Sequence, residues 1–174
     1  MRVIGLAGWS GAGKTTLLVR LIPVLLARDL TVSTVKHAHH AFEIDRPGKD
    51  SFEHRRAGAR EVLVGSGRRW ALVHELRDEP EPPLAALLNR LSPVDLVVVE
   101  GYKQAAHPKV EVFRAANGKP LLHPTLPHVR AIASDTALPG ATLPVVALDD
   151  PEAVADAVLR WAEPVEGFLG TRPA

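Results

Sequence analysis

The sequence predicts an α/β chain with a mixed, mainly parallel central sheet flanked by helices. Three observations predict it. An apolar run, Val3-Ile4-Gly5-Leu6-Ala7, leads into the glycine-rich Gly8-Trp9-Ser10-Gly11-Ala12-Gly13-Lys14-Thr15, and this leads into Leu17, Leu18, Leu21, Ile22 and Leu25 at helical spacing. A second run, Leu96-Val97-Val98-Val99, is apolar throughout, as a parallel strand buried on both faces must be. Between and after these, short β-branched runs alternate with amphipathic ones.

The elements follow in order. Residues 3–7 form the first strand, and the helix after the glycine loop is expected to kink or split at Pro23. Thr31-Val32-Ser33-Thr34-Val35-Lys36 is β-branched and alternating, so a second strand follows the turn at Arg28-Asp29. Residues 37–50 are polar, too long for a plain connection and rich in functional side chains. A short helix is expected over 51–59. Strands at 61–64 and 70–73 are separated by five residues, 65–69, and should pair as an antiparallel hairpin, which would make the sheet mixed. Pro80, Pro82 and Pro83 precede a helix through Leu84, Leu87, Leu88 and Leu91. Further strands are expected at 110–114, 129–133 and 144–147, with Asn117-Gly118-Lys119-Pro120 read as a hairpin turn. Asp150 should cap a last helix with Pro151 in its first position and Val154, Val158 and Trp161 on its buried face. The expected organisation is one domain over 1–174, with a loose tail at 164–174.

Composition narrows the function classes. A length of 174 residues with 46% apolar residues suits one full core. The formal net charge is +1 and no block of five or six like charges occurs, which argues against nucleic acid as a partner. Without cysteine, disulfides, thiolate metal sites and cysteine nucleophiles are excluded. No apolar run approaches the roughly 20 residues of a membrane span, and the first strand starts where a signal peptide would lie, so a cytoplasmic protein without membrane contact is expected.

The chemistry centres on the match to G-x-x-x-x-G-K-[ST], with strand and helix both in place, which makes the fold class that of a phosphate-loop NTPase. Its glycines let the backbone of Gly8, Ser10, Gly11, Ala12 and Gly13 turn N–H groups toward one anion, and the helix N-terminus adds more. Lys14 should reach the β- and γ-phosphates and the Thr15 hydroxyl should ligate Mg²⁺. Asp95 and Glu100 bracket the central strand, roughly 16 Å apart at about 3.3 Å per residue, so one ion cannot take both. Ligands bind at the carboxyl ends of such strands, which selects Glu100, with Gly101, for Mg²⁺ or for positioning water, and leaves Asp95 as a turn residue.

His37, His39 and His40 leave the second strand at that same edge. They read as contacts to an anionic substrate or nucleotide, as a transition-metal site, or as a solvated loop. Asp45 lies in the segment that many phosphate-loop nucleotidases order around Mg²⁺ and the γ-phosphate, while Asp50 is either functional or the cap of the following helix. His54, Arg55 and Arg56 are phosphate contacts or a solvated face. In Ala131-Ile132-Ala133-Ser134-Asp135 a strand ends in an acid able to accept guanine N1–H and N2–H, or in an ordinary turn aspartate.

Taken together, G-W-S-G-A-G-K-T-T, K-H-A-H-H-x-F-E-I-D-R-P-G-K-D-S-x-E-H-R-R-A-G-A, V-V-V-E-G-Y-K and A-I-A-S-D resemble the MobB family of molybdopterin-guanine dinucleotide biosynthesis adapter proteins, over residues 3 to about 135. The histidine-to-arginine block makes the resemblance specific. It implies a GTP-binding, generally dimeric protein with weak GTP hydrolysis that assists a MobA-type guanylyltransferase, which joins GMP from GTP to molybdopterin; molybdopterin itself is a further implied ligand. By position, Gly11, Gly13, Lys14, Thr15 and Thr16 would bind phosphate and Mg²⁺, Glu100 would face the metal and Asp135 would lie near the base. His37, His39, Asp45, Lys49 and Asp50 match the family block. Trp9 stands where some related dimeric nucleotidases carry a second lysine, and no glutamine or arginine has an evident finger role. Two other classes stay open on the residues alone: a small-molecule kinase with its acceptor held by residues 37–50, and a metallochaperone GTPase using His37, His39 and His40.

Overall fold

In the computed structural model, which describes residues 1–38 and 44–168, the chain divides into two compact units, 1–37 with 83–174 and 38–82. The first unit is built on a sheet in the order β2, β5, β1, β6, β7, β8, from β1 (Arg2–Ala7), β2 (Val32–Lys36), β5 (Leu96–Glu100), β6 (Lys109–Phe113), β7 (Val129–Ser134) and β8 (Val145–Ala147). All of these pairs are parallel. Every residue of β5 is buried, because it lies between β2 and β1 with both faces covered. No helix of the described residues is long and apolar enough to cross a membrane.

One face of the sheet carries α1 (Lys14–Ala27) and α4 (Pro151–Trp161). Ile4, Leu6, Leu96, Val98, Val110 and Val112 point into this layer and meet Leu17, Leu21 and Leu25 of α1 and Val154 and Val158 of α4. Asp150 caps α4 as expected, its Oδ1 accepting from the N–H groups of Glu152 and Ala153 at 3.0 Å each. Pro23 neither ends nor splits α1, which runs unbroken through it. The leucines on either side of the lost hydrogen bond are buried, and their packing holds the helix together.

The antiparallel member of the central sheet is not the expected hairpin. It is β9 (Glu163–Pro164), which pairs with Arg2 and Val3 of β1, and Val165 beyond it is buried. Residues 163–168 are therefore built into the fold rather than loose, while 169–174 lie outside the described residues. The expected hairpin turn at residues 117–120 is also corrected. β6 and β7 are parallel, so residues 114–128 form a crossover, made from two 3-10 turns with Gly118 in the left-handed region.

The second unit holds α2 (Asp50–Arg56) and the antiparallel pair β3 (Glu61–Gly65) and β4 (Trp70–His74), which form a sheet of their own. α2 begins one residue earlier than expected. Its cap is Lys49, without a side-chain bond, so Asp50 is not the cap. α3 (Leu84–Leu88), in the first unit, is shorter than its leucine pattern suggests but still buries Leu84 and Leu88 against the opposite face of the central sheet.

That opposite face also buries titratable groups. Lys109 is fully enclosed, with Nζ donating to the carbonyls of Ala105 and His107 at 2.5 and 2.8 Å, and burial holds its pKa down to about 8. The Glu111 carboxylate accepts the N–H groups of Leu122 and His123 at 2.6 and 2.9 Å. His107 is buried with neither ring nitrogen hydrogen-bonded, and burial, helped by the charge of Lys109, lowers its pKa to about 3. The unfolded chain therefore takes up a proton near pH 6.5 that the folded chain refuses until about pH 3. Between those values this residue makes stability fall with falling pH, by up to about 1.4 kcal/mol per unit. Urea unfolding of wild type and His107→Leu from pH 7 to 4 should give a shallower loss for the variant. Parallel curves would show that His107 does not carry this acid sensitivity.

Candidate functional site

The carboxyl edge of the central strands gathers the site. Gly11 and Gly13 have φ of +80° and +91°, which glycine adopts without steric cost. Gly13 is the N-cap of α1 and brings no side chain to its first turn, which also lacks acids, so the helix presents its N–H groups and dipole to an anion. A methyl group at Gly8 would come within 2.7 Å of the Val112 carbonyl, so the loop lies tightly against β6. Ser10 and Ala12 complete the turn, and Ala12 N–H donates to the Trp9 carbonyl at 3.1 Å. Thr16 is exposed in the first helical turn.

Lys14 folds over the loop, donating to the carbonyls of Gly8 and Trp9 at 3.0 Å each. Burial lowers its pKa; Glu100 opposes the shift and the charges of Lys103 and Lys36 add to it. The Thr15 hydroxyl donates to the Glu100 carboxylate, 2.9 Å to Oε1 and 3.2 Å to Oε2. Hydroxyl and carboxylate thus converge beside the loop as hard oxygen donors, the set a magnesium ion prefers. The Glu100 backbone is fixed as well, its carbonyl accepting from His37 N–H at 2.8 Å. The His37 ring stacks on Tyr102 with centroids 4.5 Å apart. Gly101, at φ +97°, has room for no side chain, because a Cβ would lie 2.7 Å from that of His37.

At the other end of the edge Asp135 follows β7. Its Oδ1 accepts the Ala115 N–H at 2.8 Å, and its Oδ2 lies 3.6 Å from Arg114 Nη1. Ser134 is buried, with its hydroxyl donating to the Thr136 carbonyl at 2.7 Å. Arg114 also borders the phosphate loop, its Nη2 3.5 Å from where a Cβ of Gly13 would lie. Asn117 Nδ2 donates to the Ser10 carbonyl at 3.0 Å and Trp9 Nε1 to the Pro120 carbonyl at 2.8 Å. The segment after β6 is thereby fastened to the loop. Sequence reasoning overlooked Arg114, Asn117 and Lys103, because their places depend on which strands lie next to β1.

Asp95 stands at the opposite edge, accepting from Thr31 N–H at 2.8 Å and from its hydroxyl at 2.6 Å, which pins the start of β2 to that of β5. Asp45, Lys49 and Asp50 belong to the second unit. There Asp45 grips Arg55 through both oxygens, at 2.5 and 3.1 Å, and these bonds hold its carboxyl below the usual range. Arg55 reaches Glu75 as well. Asp45 is thus engaged by a guanidinium, and Arg55 is an ion-pair partner rather than part of a solvated face. His39 and His40 lie outside the described residues, among which no cluster of three metal-ligating side chains occurs.

A glycine loop between a buried strand and a helix, with a lysine, a hydroxyl and a carboxylate meeting at its mouth, defines a phosphate-loop nucleotide-binding protein. The chain belongs to the MobB family, described as molybdopterin guanine dinucleotide synthesis protein B, which matches residues 3–135. It is 44% identical over 170 residues to the molybdopterin-guanine dinucleotide biosynthesis adapter protein of Escherichia coli K12, covering 95% of each chain. The Haemophilus influenzae protein of the same description is 43% identical over 123 residues, 68% of this chain and 67% of that one. A crystal structure of molybdopterin-guanine biosynthesis protein B superposes with a TM-score of 0.71 at 26% identity, covering 91% of this chain and 98% of the other.

Proposed function

We propose that this chain is a GTP-binding adapter in molybdenum cofactor biosynthesis, assisting a MobA-type guanylyltransferase in joining GMP to molybdopterin. It would act in the cytoplasm as a homodimer, with Mg²⁺ as the metal and GTP hydrolysis slow. Family membership supports the adapter reading over a kinase or a metallochaperone. The observation that carries the nucleotide reading is the polarity of the strand edge. Lys14, Thr15 and Glu100 lie together at the β5 side, and Asp135 directly follows β7, two strands beyond β1 on the other side. A triphosphate with its guanine at Asp135 would extend its phosphates over the loop toward Glu100. Thr15 and Glu100 would hold the metal, which supplies charge neutralisation at the phosphates. Glu100 also has the placement to orient a water.

The hairpin supports the homodimer. One face of β3 and β4 displays Leu63 opposite Leu72, with Trp70 beside them, Leu63 and Trp70 each about two-thirds exposed. A two-stranded ribbon with an apolar outer face is marginal alone and is completed by a second copy.

Calorimetric titration with GTP and ATP in Mg²⁺ tests the nucleotide reading, with Asp135→Asn as the specificity probe. Wild type should prefer GTP by at least about tenfold, because adenine offers no paired N–H donors to the carboxylate. Asn keeps an oxygen for the Ala115 N–H but lacks the second acceptor, so the variant should bind both nucleotides with similar affinity. Equal binding of ATP and GTP by wild type would defeat the assignment.

A further inference from the structure

We infer that Lys103 is a nucleotide-binding lysine that recognises the terminal phosphate of the triphosphate from within the same chain. The inference rests on the nucleotide reading above. Residues 100–103 leave β5 through two consecutive left-handed conformations, Gly101 at φ +97° and Tyr102 at φ +46°. The second is unusual for a residue with a side chain. It is held by the stack of Tyr102 on His37 and by the Ala105 N–H, which donates to the Tyr102 carbonyl at 3.0 Å. This reversal carries Lys103 back to the phosphate loop, where its Nζ sits 5.1 Å from the centroid of the Trp9 ring.

Trp9 is a fixed platform. Its Nε1 is bonded to Pro120, and its ring packs with Ala7, Leu122 and Leu126. A neutral ring at position 9 contributes no charge to a phosphate, but its face seats an ammonium beside the loop. The Lys103 ammonium has no carboxylate partner among the described residues, and its charge is felt at Lys14. With Lys36 also contributing to the field at Lys14, three lysines share one end of the loop with Glu100, the one acid among the described residues whose charge is felt at Lys14. Such an excess of positive charge suits the most highly charged part of a ligand. The edge polarity places the last phosphate there, since Lys103 follows β5, whereas Arg114 and Asp135 follow β6 and β7. Lys103 therefore separates the triphosphate from the diphosphate, whereas Lys14 serves both.

Lys103→Met, carried in a Trp70→Phe/Trp161→Phe chain so that Trp9 is the sole indole, should weaken binding of the non-hydrolysable GMPPNP at least about tenfold and GDP less than twofold. Lys103→Arg should restore most of the difference. In the parent, GMPPNP should draw the ammonium off the ring and change Trp9 emission, while GDP should not. If the parent binds both nucleotides and Lys103→Met leaves both affinities unchanged, or lowers them equally, the assignment of Lys103 is wrong and the nucleotide reading stands. A parent that binds neither nucleotide overturns both.

Discussion

Lys14→Ala should reduce affinity for GTP and GDP by about 100-fold or more, about 2.7 kcal/mol. In the structure the ammonium turns back onto the carbonyls of Gly8 and Trp9, which accept it without neutralising it. A phosphate oxygen gives the same geometry plus opposite charge, in a partly buried place where that exchange is worth most. Among the described residues the lysine makes two hydrogen bonds, both to loop carbonyls, so the melting temperature of the variant without nucleotide should move by only a few degrees. Calorimetry and thermal unfolding of the same sample separate the two effects. A change in Kd below threefold would remove Lys14 from the phosphate site, and collapse of the fold would give the residue a structural role instead.

Gly5→Ala should lower stability by about 3 kcal/mol, a melting shift on the order of 10 °C for a chain of this size. Gly5 has ordinary strand geometry, so the cost is one of volume alone. An added methyl would meet the His107 ring, with Cδ2 at 2.9 Å, and Lys109 Cγ, also at 2.9 Å. Both side chains are buried and have little room to withdraw. Enlarging the site should reverse the effect: in Gly5→Ala/His107→Ala the ring that obstructs the methyl is gone, and stability should recover by at least half. Additive losses in the double variant would show that the clash lies elsewhere.

The parts of this molecule legible in its sequence are those decided within a few residues. The phosphate loop, the apolar run Leu96-Val97-Val98-Val99 of β5 and the Asp150 cap of α4 all declare themselves locally, and the rule that ligands gather at carboxyl strand ends was enough to choose Glu100 over Asp95 for the loop side. What stayed hidden depends on strand order. Asn117 meets Ser10 and Trp9 meets Pro120 across more than 100 residues of chain, contacts that exist because β6 lies beside β1. The same dependence misled the reading of residues 117–120, where a glycine turn and flanking strands suggested a hairpin but the strands proved parallel. At Pro23 the expected split does not occur, for the opposite reason, since a local breaker was overruled by the buried leucines around it.

The pairing of β1 has a consequence for how the chain folds. The strand is synthesised first, yet its neighbours arrive at residues 96–100, 109–113 and 163–164. Each requires closure of a long loop before any contact rewards it, so the central strand is among the last to be secured. On the ribosome the phosphate loop emerges early but acquires Glu100 only after more than half of the chain has been made, and the Arg114 segment only after about two-thirds. Nucleotide is then a ligand of the finished molecule and of late folding intermediates, and it should quicken the last steps of folding rather than the first.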